Sequence, residues 1–245
     1  MLPLLFLLLL LPPPATPTTP PPAPHLLLNI DFPDPTLLHD PLTHLWHAFA
    51  TASGPLPLQA ASAPSPLGPW THHPSLALLA SPAPWTTGLH SWAPSVHRLS
   101  TRANSYILYF SGQHANHTSL HCIGAAVSHT GPLGPYVPDA EPFECPLEHG
   151  GAIDPTSVVD GRTGERWVAW KVDGNAVGGG GYCGNSVAPV TGTPIEMVRV
   201  DGGRRKKGEV VRVWDREEGV DGPLVEAPEF WDTGTGEWVL FFREI

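Results

Sequence analysis

Three carboxylates stand in or beside a short proline motif, and their types suit acid–base chemistry. Asp34 and Asp154 each precede a proline in an Asp-Pro-Thr sequence, and Glu226 directly precedes Ala227-Pro228. Hydrolysis by general acid–base catalysis needs one carboxylate that activates water and one protonated carboxyl that assists the leaving group. A further carboxyl close to the acid would raise its pKa and keep it protonated near neutral pH. These three residues therefore predict a hydrolytic site, provided that the fold brings them together.

The motif that carries these acids recurs four times along the chain. Its prolines are 59, 61 and 73 residues apart. The four motifs occupy residues 34–36, 93–95, 154–156 and 227–229. The apolar or aromatic runs that follow them are 45–49, 106–110, 167–170 and 238–242. A fixed period of this kind indicates repeated supersecondary units, and units arranged around one axis would bring the three carboxylates together.

Each repeat is predicted as a strand, a turn and a return strand, most clearly in the third unit. There Thr156–Val159 is a β-branched strand, 160–164 is a Gly-containing turn, and 166–171 is an apolar return strand. Units of about 60 residues favour an all-β propeller built from four-stranded blades. Proline is tolerated at the start of a blade's first strand, so all four motifs would lie at one mouth of the central channel. A β-sandwich with coincidental proline spacing remains the alternative.

Composition supports this fold class and limits the partners. With 31 prolines and 25 glycines in 245 residues, long helices are disfavoured, while 41% apolar residues suffice for a packed core. The net charge of −10 argues against a nucleic-acid partner, because phosphate binding needs a basic surface. A neutral sugar polymer is compatible with that charge. No pair of histidines has the spacing of a helical metal site, so we predict neither a metal nor a cofactor.

The N-terminus predicts a leader followed by a spacer, together 1–24, with the folded domain over 25–245. Leucines dominate the first eleven residues, too short a run to span a bilayer, and eight prolines follow within 12–24. We therefore expect a secreted, monomeric protein that is not bound to a membrane once the leader is removed. Against a signal peptide, the chain has no Lys or Arg before Arg98 and no clear cleavage site, so a spurious leader is the alternative.

Two further features depend on an oxidising compartment. Three cysteines allow one disulfide with one thiol left over, and proximity in sequence favours Cys122–Cys145 over pairs with Cys183. The alternative is that all three are small buried apolar residues. Asn116 begins an Asn-His-Thr glycosylation sequon, which is usable only in a secreted chain.

The motif segments resemble the blade motifs of glycoside hydrolase family 43. The resemblance rests on four segments in the right order at blade spacing, 32–36, 92–96, 151–156 and 225–228, and runs from about Asn29 to the C-terminus. It implies a five-bladed propeller that acts on arabinans, xylans and their side chains with inversion. The stretch 171–185 looks most like fungal members. Only about four blades are present here, the last incomplete, so the resemblance also implies a C-terminally truncated chain.

The resemblance assigns roles to individual residues. Asp34 matches the general base, Glu226 the general acid, and Asp154 the carboxyl that orients the acid and modulates its pKa. Trp92 matches a Trp-Ala-Pro segment and is a candidate sugar platform, and His90 is a candidate substrate contact. Taken singly, the carboxylates read as turn or loop residues, Trp92 as channel packing and His90 as a surface residue.

Three other functions remain open at this point. A propeller that has lost its last blade could bind carbohydrate without cleaving it, or could be an inactive short product. A retaining, invertase-like propeller is less favoured, because it would need a nucleophilic Asp in an Asn-Asp-Pro-Asn type of motif, and 32–35 reads Phe-Pro-Asp-Pro.

Overall fold

The computed structural model describes residues 26–99 and 104–245, and almost all regular structure in them is β. The predicted leader and spacer, 1–24, lie outside the described residues. The strands are β1 (Thr36–His39), β2 (Trp46–Ser53), β3 (Leu56–Ala63), β4 (Thr71–His72), β5 (Trp92–Arg98), β6 (Tyr106–Gln113), β7 (His121–Ser128), β8 (Val137–Pro138), β9 (Ala152–Val159), β10 (Arg166–Val172), β11 (Ile195–Asp201), β12 (Arg205–Lys206), β13 (Val211–Trp214), β14 (Val225–Asp232) and β15 (Trp238–Glu244). Short 3₁₀ helices cover Leu147–His149, Gly174–Val177 and Tyr182–Gly184. Across both described stretches, no helix has the length and apolar character needed to cross a membrane.

The strands form four antiparallel sheets that follow one another along the chain. The first contains β1–β4, the second β5–β8, the third β9–β12 with β13 added beside β11, and the fourth β14–β15. We call these sheets blades 1 to 4. Their first strands contact one another in chain order, β1 with β5, β5 with β9 and β9 with β14. The prediction of an all-β fold with about four repeated units, the last incomplete, is confirmed.

The core lies between successive blades, and the two-residue period of a strand explains how. In β6, Tyr106, Leu108 and Phe110 pack toward blade 1. The intervening Ile107 and Tyr109 pack toward blade 3. Successive side chains of a strand point to opposite faces, so a fully apolar strand is required where both faces are covered. Blade 2 is therefore buried on both sides.

Blade 3 is arranged in the same way and packs against blade 2 on one face and blade 4 on the other. Val168 and Trp170 of β10 join the cluster shared with blade 2, while Ala169 joins the cluster shared with blade 4. Phe230 of β14 belongs to that second cluster, and Trp238 packs against it. Because the blades pack against one another, the first strands of successive blades start next to each other.

The disulfide and the sequon lie on blade 2. Cys122 on β7 is joined to Cys145, with Cα atoms 4.7 Å apart, and Cys183 is free. These are the two cysteines that sequence proximity paired. Asn116 is exposed in the loop between β6 and β7.

Candidate active site

Every motif has the same local geometry at its proline. The residue before the proline adopts a left-handed backbone, with φ of 50° at Asp34, 42° at Ala93, 55° at Asp154 and 51° at Ala227. None of the four is glycine, and such a conformation costs a residue with a side chain about 1–3 kcal/mol. In β5, β9 and β14 the pairing register shifts at this point, as in a β-bulge. A bulge redirects side chains, and proline fits there because no ladder N–H is lost.

The four motifs surround one cavity with a volume of about 580 Å³. Its lining contains all three predicted carboxylates together with Trp92 and Arg243. Asp34 comes from the segment before β1, Asp154 from β9 and Glu226 from β14, so three different blades supply the acids. The stacking of the blades thus joins residues that are far apart in sequence.

Asp34 is the open carboxylate of the site. Its side chain is exposed, and Oδ2 accepts a hydrogen bond of 2.5 Å from the hydroxyl of Thr51. The same Thr51 hydroxyl oxygen accepts the backbone N–H of Ala93 at 2.9 Å. An exposed, oriented carboxylate of this kind has room for a water molecule beside it, as a general base requires.

Asp154 is half-buried between the other two acids and has the perturbed titration. Burial raises the pKa of Asp154 to about 6, and the charges of Glu226 and Asp34 act in the same direction. The positive charge of Lys171 and the N–H of Ala227, 2.9 Å from Oδ2, oppose this rise in pKa. The sequence predicts a raised pKa for the general acid. In the structure, burial raises the pKa of Asp154.

Glu226 is the carboxylate nearest to fixed positive charge. Its side chain is 20% exposed, Oε2 lies 3.5 Å from Nζ of Lys171, and Oε1 lies 4.0 Å from the exposed guanidinium of Arg243. Lys171 is wholly buried and also lies 3.0 Å from Asp173. A buried ammonium needs such partners, because an unpaired charge in the interior is strongly destabilising.

Lys171 was missed by sequence reasoning, although one signal was present. It interrupts the apolar run of β10 at the position that pairs with Ile153, one residue before Asp154. A charged residue inside a strand that is buried on both faces needs a partner in the interior. That signal identifies Lys171 as unusual but does not identify Glu226, which belongs to the next blade.

Trp92 lines the cavity, and its ring stacks on a histidine that the sequence did not single out. The rings of Trp92 and His121 are stacked, with centroids 3.5 Å apart. Burial lowers the pKa of His121 to about 4, so the ring is neutral at physiological pH. With its proton on Nε2, the ring donates to the carbonyl of His90 at 3.2 Å. The candidate His90 therefore contributes its backbone, and its exposed side chain does not line the cavity.

Within residues 26–99 and 104–245, no group of three or more His, Cys, Asp or Glu side chains is placed to hold a metal ion.

Comparison with known sequences identifies one family. The sequence model described as "Glycosyl hydrolases family 43" matches residues 28–241 of this chain. Those residues include all four proline motifs and the three carboxylates. No curated protein matches the chain significantly in sequence.

Solved structures of the same architecture are similar to the chain in three dimensions. A thermostable family-43 glycoside hydrolase has a TM-score of 0.67 and 18% identity, covering 86% of this chain and 63% of its own. An endo-1,4-beta-xylanase from Bacteroides thetaiotaomicron has a TM-score of 0.62 and 18% identity, and the match covers 87% of this chain and 64% of the xylanase. An endo-arabinase from the same organism has a TM-score of 0.62 and 16% identity, and the match covers 87% of this chain and 75% of the arabinase. The chain spans less than two thirds of the first two, and at these identities the likeness shows the fold.

Proposed function

The chain belongs to glycosyl hydrolases family 43, and from this membership we propose that it cleaves O-glycosidic bonds of arabinose- or xylose-containing plant polysaccharides with inversion. The observation that carries the proposal is the meeting of three carboxyl groups, each from a different blade, in one cavity of about 580 Å³. The similarity in fold to a xylanase and an arabinase supports the substrate class.

In the proposed mechanism, the two outer acids act on opposite sides of the scissile bond. Asp34, exposed and held by Thr51, takes a proton from the attacking water as general base. Glu226 gives a proton to the leaving oxygen as general acid. An inverting enzyme separates these carboxyl groups by about 6.5–9.5 Å to leave room for the water.

Asp154 serves as the modulator between them. A carboxyl with a pKa of about 6 is protonated at mildly acidic pH and becomes charged as the pH rises. The charge of Glu226 contributes to the raised pKa of Asp154, so the two carboxyl groups interact electrostatically. This interaction is the basis for the modulating role proposed for Asp154.

A neutral sugar suits the remaining walls of the cavity. Trp92 presents a ring already stacked on His121, so its orientation is fixed before a sugar binds. A rigid aromatic face covers the apolar face of a sugar ring at little cost in side-chain entropy. The carboxylates and backbone groups of the motifs can accept or donate hydrogen bonds to sugar hydroxyls.

Turnover of 4-nitrophenyl α-L-arabinofuranoside and β-xyloside by the purified chain tests the proposal. We expect Glu226→Gln and Asp34→Asn each to lower kcat by about 10²–10⁴-fold, the range associated with loss of a general acid or base. Glu148→Gln is the matched control, because Glu148 is exposed and lies outside the cavity. Equal activity of the wild type and both variants would refute the assignment of these acids.

The stereochemical part of the proposal has its own test. NMR spectra recorded during the first turnovers on a xylo- or arabino-oligosaccharide report the anomer released first. Inversion predicts the anomer opposite to that of the substrate. Release of the same anomer would instead require a nucleophilic carboxylate and a covalent intermediate.

Binding without hydrolysis is the second candidate, favoured by the Trp92 ring, which lines the cavity and is stacked on His121. In this case oligosaccharides would bind, and calorimetry would detect heat, while no glycoside is turned over. Substitution of Trp92 by Ala would then abolish the binding heat, because the sugar platform is lost.

We further propose that the chain is secreted as a monomer. The Cys122–Cys145 disulfide supports this, since disulfides persist in oxidising compartments, and the exposure of Asn116 makes its sequon accessible. Expression in a eukaryotic host should give a medium-borne protein whose gel mobility increases after N-glycan removal. The Asn116→Gln variant should show no such change, and retention of the wild type in cells would contradict secretion.

A further inference from the structure

The second strand of each blade carries one residue opposite the proline motif, at the same place in all four repeats. Backbone pairing defines the position, since each of these residues lies across from the residue two before the motif's proline. The four residues are Thr51 in β2, Ser111 in β6, Lys171 in β10 and Arg243 in β15. All four are polar, within strands that are otherwise largely apolar.

In the first three blades this residue contacts the motif of the following blade. Thr51 accepts the N–H of Ala93 at 2.9 Å, and Ser111 accepts the N–H of Asp154 at 3.0 Å. Lys171 reaches Glu226 at 3.5 Å. The repeated position is therefore a link between neighbouring blades. In blade 2 the Ser111 hydroxyl pairs with the backbone N–H of Asp154, and in blade 3 the Lys171 ammonium pairs with the carboxylate of Glu226.

Thr51 has a second contact that determines where its proton lies. A backbone N–H can only donate, so the Thr51 oxygen must be the acceptor for Ala93. The single hydroxyl proton is then free to be donated to Oδ2 of Asp34, 2.5 Å away. This gives one directed chain of hydrogen bonds from the backbone of blade 2, through Thr51, to Asp34 on blade 1. Consecutive hydrogen bonds of this kind strengthen one another.

We propose that Thr51 is a positioning residue that fixes the carboxylate of Asp34 relative to the motif of blade 2. The inference rests on the proposed function, in which Asp34 is the base. Asp34 precedes β1 and its side chain is exposed, so core packing does not restrain the carboxylate. The Thr51 hydroxyl supplies that restraint. Blade 2 contributes Trp92 one residue before Ala93, so the same link sets the base against the sugar platform.

Three variants separate the hydroxyl from the bulk of the side chain. Thr51→Val keeps the size and branching but removes the hydroxyl, and Thr51→Ser keeps the hydroxyl. Thr71→Val, in the outermost strand of the same blade and away from the cavity, is the matched control. We expect Thr51→Val to lower kcat on the order of 10- to 100-fold with little change in KM, as for a displaced catalytic group. Thr51→Ser should restore most of the loss, and Thr71→Val should behave as the wild type.

Crystal structures of the same variants give a reading that needs no turnover. The Asp34 carboxylate should leave its wild-type position in Thr51→Val and keep it in Thr51→Ser. The inference is overturned if Asp34 stays in place in Thr51→Val, or if Thr51→Ser loses as much activity as Thr51→Val. Absence of turnover in the wild type would refute the proposed hydrolase alone, and the position of Asp34 in the two structures would still decide the role of Thr51.

Discussion

Blades 2 and 4 carry the same motif in very different surroundings. Both have an alanine before the proline with a left-handed backbone and a register shift in the first strand. Blade 2 has four strands and is covered on both faces. Blade 4 has two strands, packs against blade 3 on one face, and on the other exposes Trp231 (66%), Val239 (42%) and Phe241 (58%).

The comparison separates two contributions to the site. The motif geometry is the same in a fully sandwiched blade and in a half-covered one, so it follows from the local sequence and its bulge. The stability that holds the blades in place comes from burial, which differs between them. Blade 4 nevertheless supplies Glu226, so a proposed catalytic acid stands on the less buried of the two.

The largest expected effect is on the packing of blade 2. Phe110 is fully buried and stacks with Trp85 at a centroid distance of 6.1 Å. Phe110→Ala should lower the free energy of unfolding by about 3–5 kcal/mol, because it removes buried apolar area and leaves a cavity. Urea denaturation followed by tryptophan fluorescence measures this loss. A loss below about 1 kcal/mol would mean that the core between blades 1 and 2 does not dominate stability.

The next effect concerns the contact of blade 4 with blade 3 through Asp154. The pKa of this carboxyl is raised from 3.8 to about 6, so the folded state holds a proton that the unfolded state releases. Its favourable contribution is present below pH 4 and is lost as the pH rises through 6. Asp154→Asn cannot ionise and keeps an oxygen for the N–H of Ala227. Relative to the wild type, it should gain on the order of 2–3 kcal/mol in unfolding free energy between pH 4 and pH 7.5.

Denaturation midpoints of both proteins at these two pH values check the sign. A difference that does not depend on pH would show that Asp154 has an ordinary pKa. If the wild type instead became more stable relative to the variant as the pH rises, the pKa of Asp154 would be lowered in the folded state.

The sequence predicts the repeated part of the site well and the links between blades poorly. The motifs and strand pairs follow from proline, glycine and a two-residue apolar period, which are local signals. Thr51 and Lys171 contact residues of the next blade, 42 and 55 positions away in sequence. His121 stacks on Trp92, 29 positions away on another strand of the same blade. Their partners depend on the stacking and register of the blades, and one sequence contains no signal for that. Likewise, the raised pKa of Asp154 depends on how much protein surrounds it.

A smaller effect tests whether the motif geometry is the same in the two blades. Ala93 and Ala227 have φ of 42° and 51°, a region that glycine adopts without steric cost. Relief of strain outweighs the extra chain entropy of glycine at such a position, so Ala93→Gly and Ala227→Gly should each stabilise by about 0.5–1 kcal/mol. Thermal unfolding of both variants measures the two gains. Clearly unequal gains would show that the surrounding blade, and not the local sequence, sets this conformation.

The smallest effect is expected on the open face of blade 4. Phe241 is 58% exposed and pairs with Glu229 across the sheet, so its replacement by Thr removes little buried area and keeps a strand-forming residue. Phe241→Thr should change the unfolding free energy by no more than about 0.5 kcal/mol. Phe230→Thr is the control in the same blade, because Phe230 is 8% exposed and faces blade 3, and its loss should be several-fold larger. Similar losses from both substitutions would show that the second face of blade 4 is covered in solution, and the contrast with blade 2 would then no longer hold.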